Sequence, residues 1–278
     1  MDLKERIATH TWYHTIELAP GVVTPGYYDL RPILDRIPWP DVRGKRCLDV
    51  GTFDGFLAFE LEKRGAAEVV ALDVDDYRQL DWPARIRDTA PAELERQIGE
   101  ERGRGFRIAS EALGSRAKRV ALNVYDLSPE RVGTFDVVVC GSILTHLRDP
   151  ILALERMRSV CSGVLLATEG IDIWLHVVHR RKPMLEVRGT RDQWTTTNGA
   201  GLRRMITVAG FRVERATRPY SLAYGPGRDQ LVNWRTLLRW GRESPRVAAG
   251  NVGRAVLAKI IGGHSGPSHI SVLARPEI

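Results

Sequence analysis

Four proton-handling residues, His146, Glu169, Asp172 and His176, follow two apolar runs, FDVVVC (135–140) and CSGVLLAT (161–168). If both runs are parallel strands of one sheet, these residues collect at its carboxyl edge, where a His or a carboxylate can take the proton of an attacking hydroxyl. Neither they nor Cys47, Cys140 and Cys161 show metal-ligand spacing, so no metal is assigned. The second group with chemical potential lies in Lys45–Gly65, KRCLDVGTFDGFLAFELEKRG. Here Cys47, Leu48 and Val50 read as a buried strand ending in Asp49 and Gly51-Thr52-Phe53-Asp54-Gly55, and Phe56, Leu57, Phe59 and Leu61 then recur at helical spacing. Such a strand, glycine turn and helix place backbone amides in the ligand crevice of an α/β sheet.

Asp73 ends a second apolar run, Val69–Asp73, 24 residues after Asp49, where an acid can accept from both ribose hydroxyls of a nucleoside. The dinucleotide fingerprint requires glycine where this chain has Phe53, whose ring would crowd a pyrophosphate. A nucleoside cofactor without phosphates, S-adenosylmethionine (SAM), fits the turn better. Asp49, Gly51, Thr52, Asp54, Gly55, Asp73 and Val74 are the candidate contacts. The plainer reading is a chain reversal flanked by ordinary strand-end carboxylates.

The elements that must position these groups follow from the same patterning. Strands are expected at Arg119–Leu122, Phe135–Cys140, Cys161–Thr168, Phe211–Ala216 and Ser268–Ala274. Helices are expected over 92–98, near 106–113, from Pro150 onward and over Gly201–Ala209 closed by Gly210. Alternation of strands and helices predicts a Rossmann-like, doubly wound α/β fold with a mostly parallel seven-stranded sheet and an antiparallel edge supplied by the late strands. Residues 1–42 are too apolar for a disordered tail and form an arm, either a lid or an extra layer on the sheet; 43–218 form the core, 219–267 a helical insertion and 268–278 the final strand. Within the insertion, 231–240 and 246–261 read as helices, and Trp174–His179 reads as a short helical packing run.

Composition narrows the class. The net charge of +7 is concentrated: ten Lys and Arg against three acids lie between Arg212 and Lys259, so the rest of the chain is neutral. Such a segment suits RNA, an acidic glycan or an anionic small molecule, or is a solvated arginine-rich surface. No apolar stretch of about 18 residues supports a membrane span, and the amino terminus has no signal-peptide core, so a cytoplasmic protein is expected. The three cysteines fall in or beside buried strands and read as small core hydrophobes.

GKRCLDVGTFDGFLAFELEKRGAAEVVALD, FDVVVCGSILTHLRDPILALERM and WTTTNGAGLRRMITVAGF resemble class I SAM-dependent methyltransferases, most closely the group related to the tRNA wobble-uridine methyltransferases and carboxymethyltransferases. The likeness runs from about Trp12 to the last strand and is thinner over 76–118 and 219–265. It implies that Val124, Tyr125 and Asp126 flank the adenine, that Cys140 and Gly141 border the cofactor, and that the arm covers its mouth, with His14, Tyr27 and Thr145 as candidate substrate contacts. It also places the insertion, with Arg228, Arg235 and Arg239, on the rim as a substrate element. Two departures weigh against carboxymethyl transfer: Thr145 stands where the group commonly has Tyr, and His269 where carboxymethyl-transferring members have Arg. Plain SAM is therefore the expected cofactor, and O-methylation of a small hydroxylated, possibly acidic acceptor the first expectation. A tRNA-modifying enzyme and a non-catalytic SAM-binding protein are the alternatives.

Overall fold

The computed structural model describes residues 2–84, 88, 102–190, 193–228 and 245–277. Its central sheet contains β1 (Arg46–Val50), β2 (Glu68–Asp73), β3 (Lys118–Ala121), β4 (Phe135–Gly141), β5 (Cys161–Ile171), β6 (Phe211–Ala216) and β7 (Ser268–Pro276) in the order β3-β2-β1-β4-β5-β7-β6. The first five run parallel, with Leu48 in register with Val70 on one side and Val138 on the other. β7 enters antiparallel between β5 and β6, and the two-residue strand Tyr220–Ser221 also pairs with it, an eighth strand that patterning had not resolved.

β1 and β4 are buried because both faces are covered, which explains their unbroken apolar runs. One face packs α4 (Pro150–Val160) and α6 (Gly199–Val208) through Leu154, Met157, Leu202 and Ile206; the other packs α2 (Phe56–Lys63) and α3 (Arg104–Leu113) through Phe56, Leu61, Phe106 and Ile108. Local chemistry fixes the ends. Asp149 accepts from the Leu152 amide ahead of Pro150, and Asn198 accepts from the Gly201 amide to begin α6. The expected helix over 92–98 and that over 231–240 lie outside the described residues.

The arm packs on the α2 face. After α1 (Leu3–Ala8), Trp12, Ile16, Leu18, Leu30 and Ile33 join the cluster that contains Phe56, Leu57 and Phe59. Trp12 is 1% exposed and its indole N–H donates to the Ile7 carbonyl at 2.9 Å. The first residues of the insertion pair with this arm, Ala223 with Asp29 and Tyr224 with Tyr28. The crossing is so close that a Cβ at Gly225 would lie 2.2 Å from the Gly26 carbonyl oxygen, and one at Gly227 2.0 Å from that of Pro25. Glycine is required at both.

Two further elements sit at the sheet's carboxyl edge. α5 (Ile173–Val178) follows β5, and a hairpin of Leu185–Thr190 with Gln193–Thr197 leads into α6. α7 (Pro245–Gly262), close to the expected 246–261, returns to the arm through the Gly262 carbonyl, which accepts from Arg36 at 2.6 Å.

Candidate functional site

The chain leaves β1 through a turn with three left-handed residues: Gly51 (φ 77°), Phe53 (φ 48°) and Gly55 (φ 94°). Two glycines are expected there; a left-handed phenylalanine is strained and persists where its surroundings fix it. Its amide donates to Asp73 Oδ2 at 2.9 Å, and its ring is held between Tyr13 at 5.3 Å and the Arg102 guanidinium at 4.8 Å. Asp73 also accepts from the Val74 amide at 2.8 Å and from Arg102 Nη2 at 2.9 and 3.2 Å. Arg102, whose guanidinium also lies over Tyr77, was not anticipated; it comes from a stretch with no motif.

Asp49 is 1% exposed, and neither of its carboxylate oxygens makes a well-formed hydrogen bond among the described residues, although the Thr52 hydroxyl and the Ala58 amide lie close enough to act on its charge. Burial pushes its carboxyl up to about 7; the Thr52 hydroxyl and Ala58 amide oppose the rise, and the Asp73 charge adds to it. A buried acid without a well-formed hydrogen bond at the end of β1 fits a site for a cationic ligand group, and Asp73, at the end of the adjacent strand β2, fits a ribose. The residues present therefore suit SAM.

Asp54 is committed elsewhere. Fully buried, it accepts from the Tyr13 and His14 amides at 2.7 and 3.0 Å and faces His10 Nε2 at 3.4 Å. It thus anchors the arm to the glycine turn instead of facing the crevice, a correction to its expected role as a cofactor contact. His14 is buried, and burial lowers its pKa despite nearby Asp54 and Asp73. Tyr27 is exposed.

At the β4–β5 edge, Gly141 is followed by Ser142, also left-handed (φ 54°), and by a single helical turn, Leu144–His146. Glu169, 2% exposed, pins that turn by accepting from the Ile143 and Leu144 amides, each at 3.2 Å. Burial raises Glu169 to about 7, with those amides and His146 pulling against it. His146 is half-buried, and Thr145 donates to the Thr195 carbonyl at 2.6 Å, tying the turn to the hairpin. Leu144, Thr145, Glu169, Thr195, Leu202 and Met205 line a small cavity. Cys140 is buried beneath, its thiol pushed well up by burial and by Glu169.

Asp172 and His176 do not join this group as bases. Asp172 caps α5, accepting from the Trp174 and Leu175 amides, and pairs with Arg188 at 2.9 Å and Arg254 at 3.4 Å. His176 lies beside the start of α6, near the Gly199 amide at 3.4 Å, with its pKa lowered by burial. Both serve the architecture of the rim.

At the end of β3, Val124 is buried and Asp126 exposed. Tyr125 donates to Asp81 at 2.5 Å, and Asp81 also accepts from the Arg148 amide at 2.8 Å, while its carbonyl accepts from Trp194 at 2.5 Å. Asp81 thereby joins the β2 loop, the β3 end, the start of α4 and the hairpin, a role no local pattern announces. Arg228 lies over Tyr28 and Tyr224 and donates to the Tyr28 hydroxyl, so it braces the arm; Arg235 and Arg239 lie outside the described residues.

A doubly wound sheet with a nucleoside-type crevice on its carboxyl edge defines the class. A methyltransferase domain model matches residues 25–216, and the chain belongs to that family. It is a SAM-dependent methyltransferase. Ubiquinone biosynthesis O-methyltransferases are similar to it: that of Neisseria meningitidis serogroup C is 27% identical over 197 residues, covering 67% of this chain and 72% of the relative. That of Marinobacter nauticus is 27% identical over 254 residues, covering 86% and 94%. A tRNA U34 carboxymethyltransferase of Dichelobacter nodosus is 27% identical over 176 residues, covering 62% of this chain and 47% of the relative.

Proposed function

We propose that this enzyme methylates a hydroxyl of a small acceptor, with the ribose of SAM on Asp73, its ammonium toward Asp49 and its adenine between Val124 and the β3 end. SAM supplies an electrophilic methyl group. The chain's own work is positioning and proton removal, since methyl transfer gains most from holding donor and acceptor in line. The observation that carries the oxygen reading is the His146 turn: a half-buried imidazole at the carboxyl edge, on a turn pinned by Glu169 and by Thr145. An alcohol must lose its proton as it is alkylated, and His146 is placed to take it. Glu169 orients that turn and interacts electrostatically with the imidazole. The O-methyltransferase relatives support the same chemistry.

A methyl-labelled SAM assay against phenols, catechols, sugars and bulk tRNA tests this reading. Label recovered in a small-molecule ether is expected. Label recovered only in tRNA would replace the reading with the nucleic-acid one, which the carboxymethyltransferase relative favours.

A further inference from the structure

Ser142 and His269 form a pair whose hydrogen-bond direction the structure dictates. His269 is 3% exposed, with Nδ1 3.1 Å from the Pro267 carbonyl and Nε2 2.8 Å from Ser142 Oγ. A carbonyl only accepts, so Nδ1 carries the proton. Burial holds the ring at about 4, so it is neutral at physiological pH, and Nε2 is left as an acceptor. The Ser142 hydroxyl must then spend its hydrogen on Nε2. Toward the crevice it offers lone pairs alone.

Backbone geometry places that hydroxyl on the α2 side of the sheet edge. Gly141 faces α2, where an added Cβ would meet Leu57, so regular alternation would turn residue 142 to the opposite face. The left-handed Ser142 instead carries its side chain to His269, whose ring stacks on Tyr220 of the α2-side cluster at 6.2 Å. Asp49 alternates with Leu48 and Val50 of the other cluster and so shares that α2 side, on the strand adjacent to β4, with Asp49 in register with Val139. Ile143, next to Ser142, leans over the glycine turn: a Cβ at Gly51 would lie 2.8 Å from its Cδ1.

We propose that Ser142 Oγ, oriented by His269, is a cofactor-binding group that accepts a hydrogen bond from the α-ammonium of SAM. An ammonium has three donors and no acceptor, matching a hydroxyl whose hydrogen is already given to His269 and the Asp49 carboxylate of the adjacent strand, which makes no well-formed hydrogen bond. Ser142 touches the ligand; His269 is a positioning residue. The inference rests on the cofactor placement proposed above, in which Asp73 holds the ribose and the amino-acid end extends over β1 toward β4.

The test is calorimetric titration with S-adenosylhomocysteine (SAH) and with its deamino analogue, which lacks only the amino group. Ser142→Ala and His269→Phe should each weaken SAH binding roughly 10- to 100-fold, as for a hydrogen bond to a charged group, and leave the analogue within about twofold. His269→Gln, whose amide oxygen can replace Nε2 as acceptor, should stay near wild type for both ligands. If Ser142→Ala weakens both ligands in parallel, or neither, the inference is wrong while the cofactor site stands. If wild-type protein binds neither ligand, the site reading itself falls and the inference falls with it.

Discussion

Arg102 should oppose cofactor binding, and removing it should strengthen binding. The Asp73 carboxylate has about four lone-pair sites. Two are filled by the Phe53 and Val74 amides at 2.9 and 2.8 Å, and the remainder face Arg102 Nη2 at 2.9 and 3.2 Å. A ribose diol therefore has no acceptor on Asp73 until the guanidinium moves. The ion pair is well shielded, at 11% and 6% side-chain exposure, and the guanidinium also lies over Phe53 and Tyr77. A charged hydrogen bond contributes about 1.5–3 kcal/mol, and each cation–π contact about 0.5–1 kcal/mol. Displacing Arg102 then costs the ligand on the order of 2.5–5 kcal/mol. In Arg102→Met this cost disappears, and Asp73 is left waiting for donors, so SAH should bind roughly 10²- to 10³-fold more tightly by calorimetry. The ligand-free variant should melt at a lower temperature, because it leaves a buried carboxylate half-satisfied. Unchanged or weaker SAH binding would show that Arg102 belongs to the bound state and would refute the competition.

Other outcomes follow from the same geometry. Asp49 has a folded-state pKa raised to about 7, so the native state holds its proton more tightly than the unfolded chain; the stability this contributes is full below about pH 4 and lost as pH rises through 7. Asp49→Asn should therefore gain stability over ligand-free wild type as pH climbs from 4 to 8, by on the order of 2–4 kcal/mol, and lack the proton release expected of wild type on binding SAH near pH 6.5; equal melting curves at pH 8 would contradict this. His146→Asn should lower kcat about 10²- to 10⁴-fold with SAH affinity unchanged, and a pure loss of melting temperature would assign His146 to packing instead. Asp54→Ala strands the Tyr13 and His14 amides, so it should cost about 2–5 kcal/mol and open the arm to limited proteolysis ahead of the core; an arm that stays protected would argue against the anchor.

The sheet was legible because its strands are buried on both faces and so stand out as the runs around Leu48, Val70, Val138 and Leu165. The glycine turn and the acid at 73 were legible for a different reason: backbone conformation and ligand chemistry restrict those positions to few residue types. What escaped was long-range. Arg102 reaches Asp73 across 29 residues, Ser142 reaches His269 across 127, and Asp81 collects partners from three later segments. Asp54 and Asp172 misled because an acid beside a strand end reads alike whether it faces a ligand, anchors an arm or caps a helix. The hairpin before α6 was hidden because Leu185 and Val187 are exposed and leave no buried alternation to read.

The account turns on Asp73 as the ribose ligand, and calorimetry with SAH in the Arg102→Met background, where no ion pair has to be broken, tests it most directly. Adding Asp73→Ala to Arg102→Met should weaken SAH binding about 10²- to 10⁴-fold while keeping a cooperative melt, as expected when two hydrogen bonds to a charged group are lost. Equal SAH affinity with and without Asp73→Ala in that background would contradict the placement of the cofactor on this edge of the sheet.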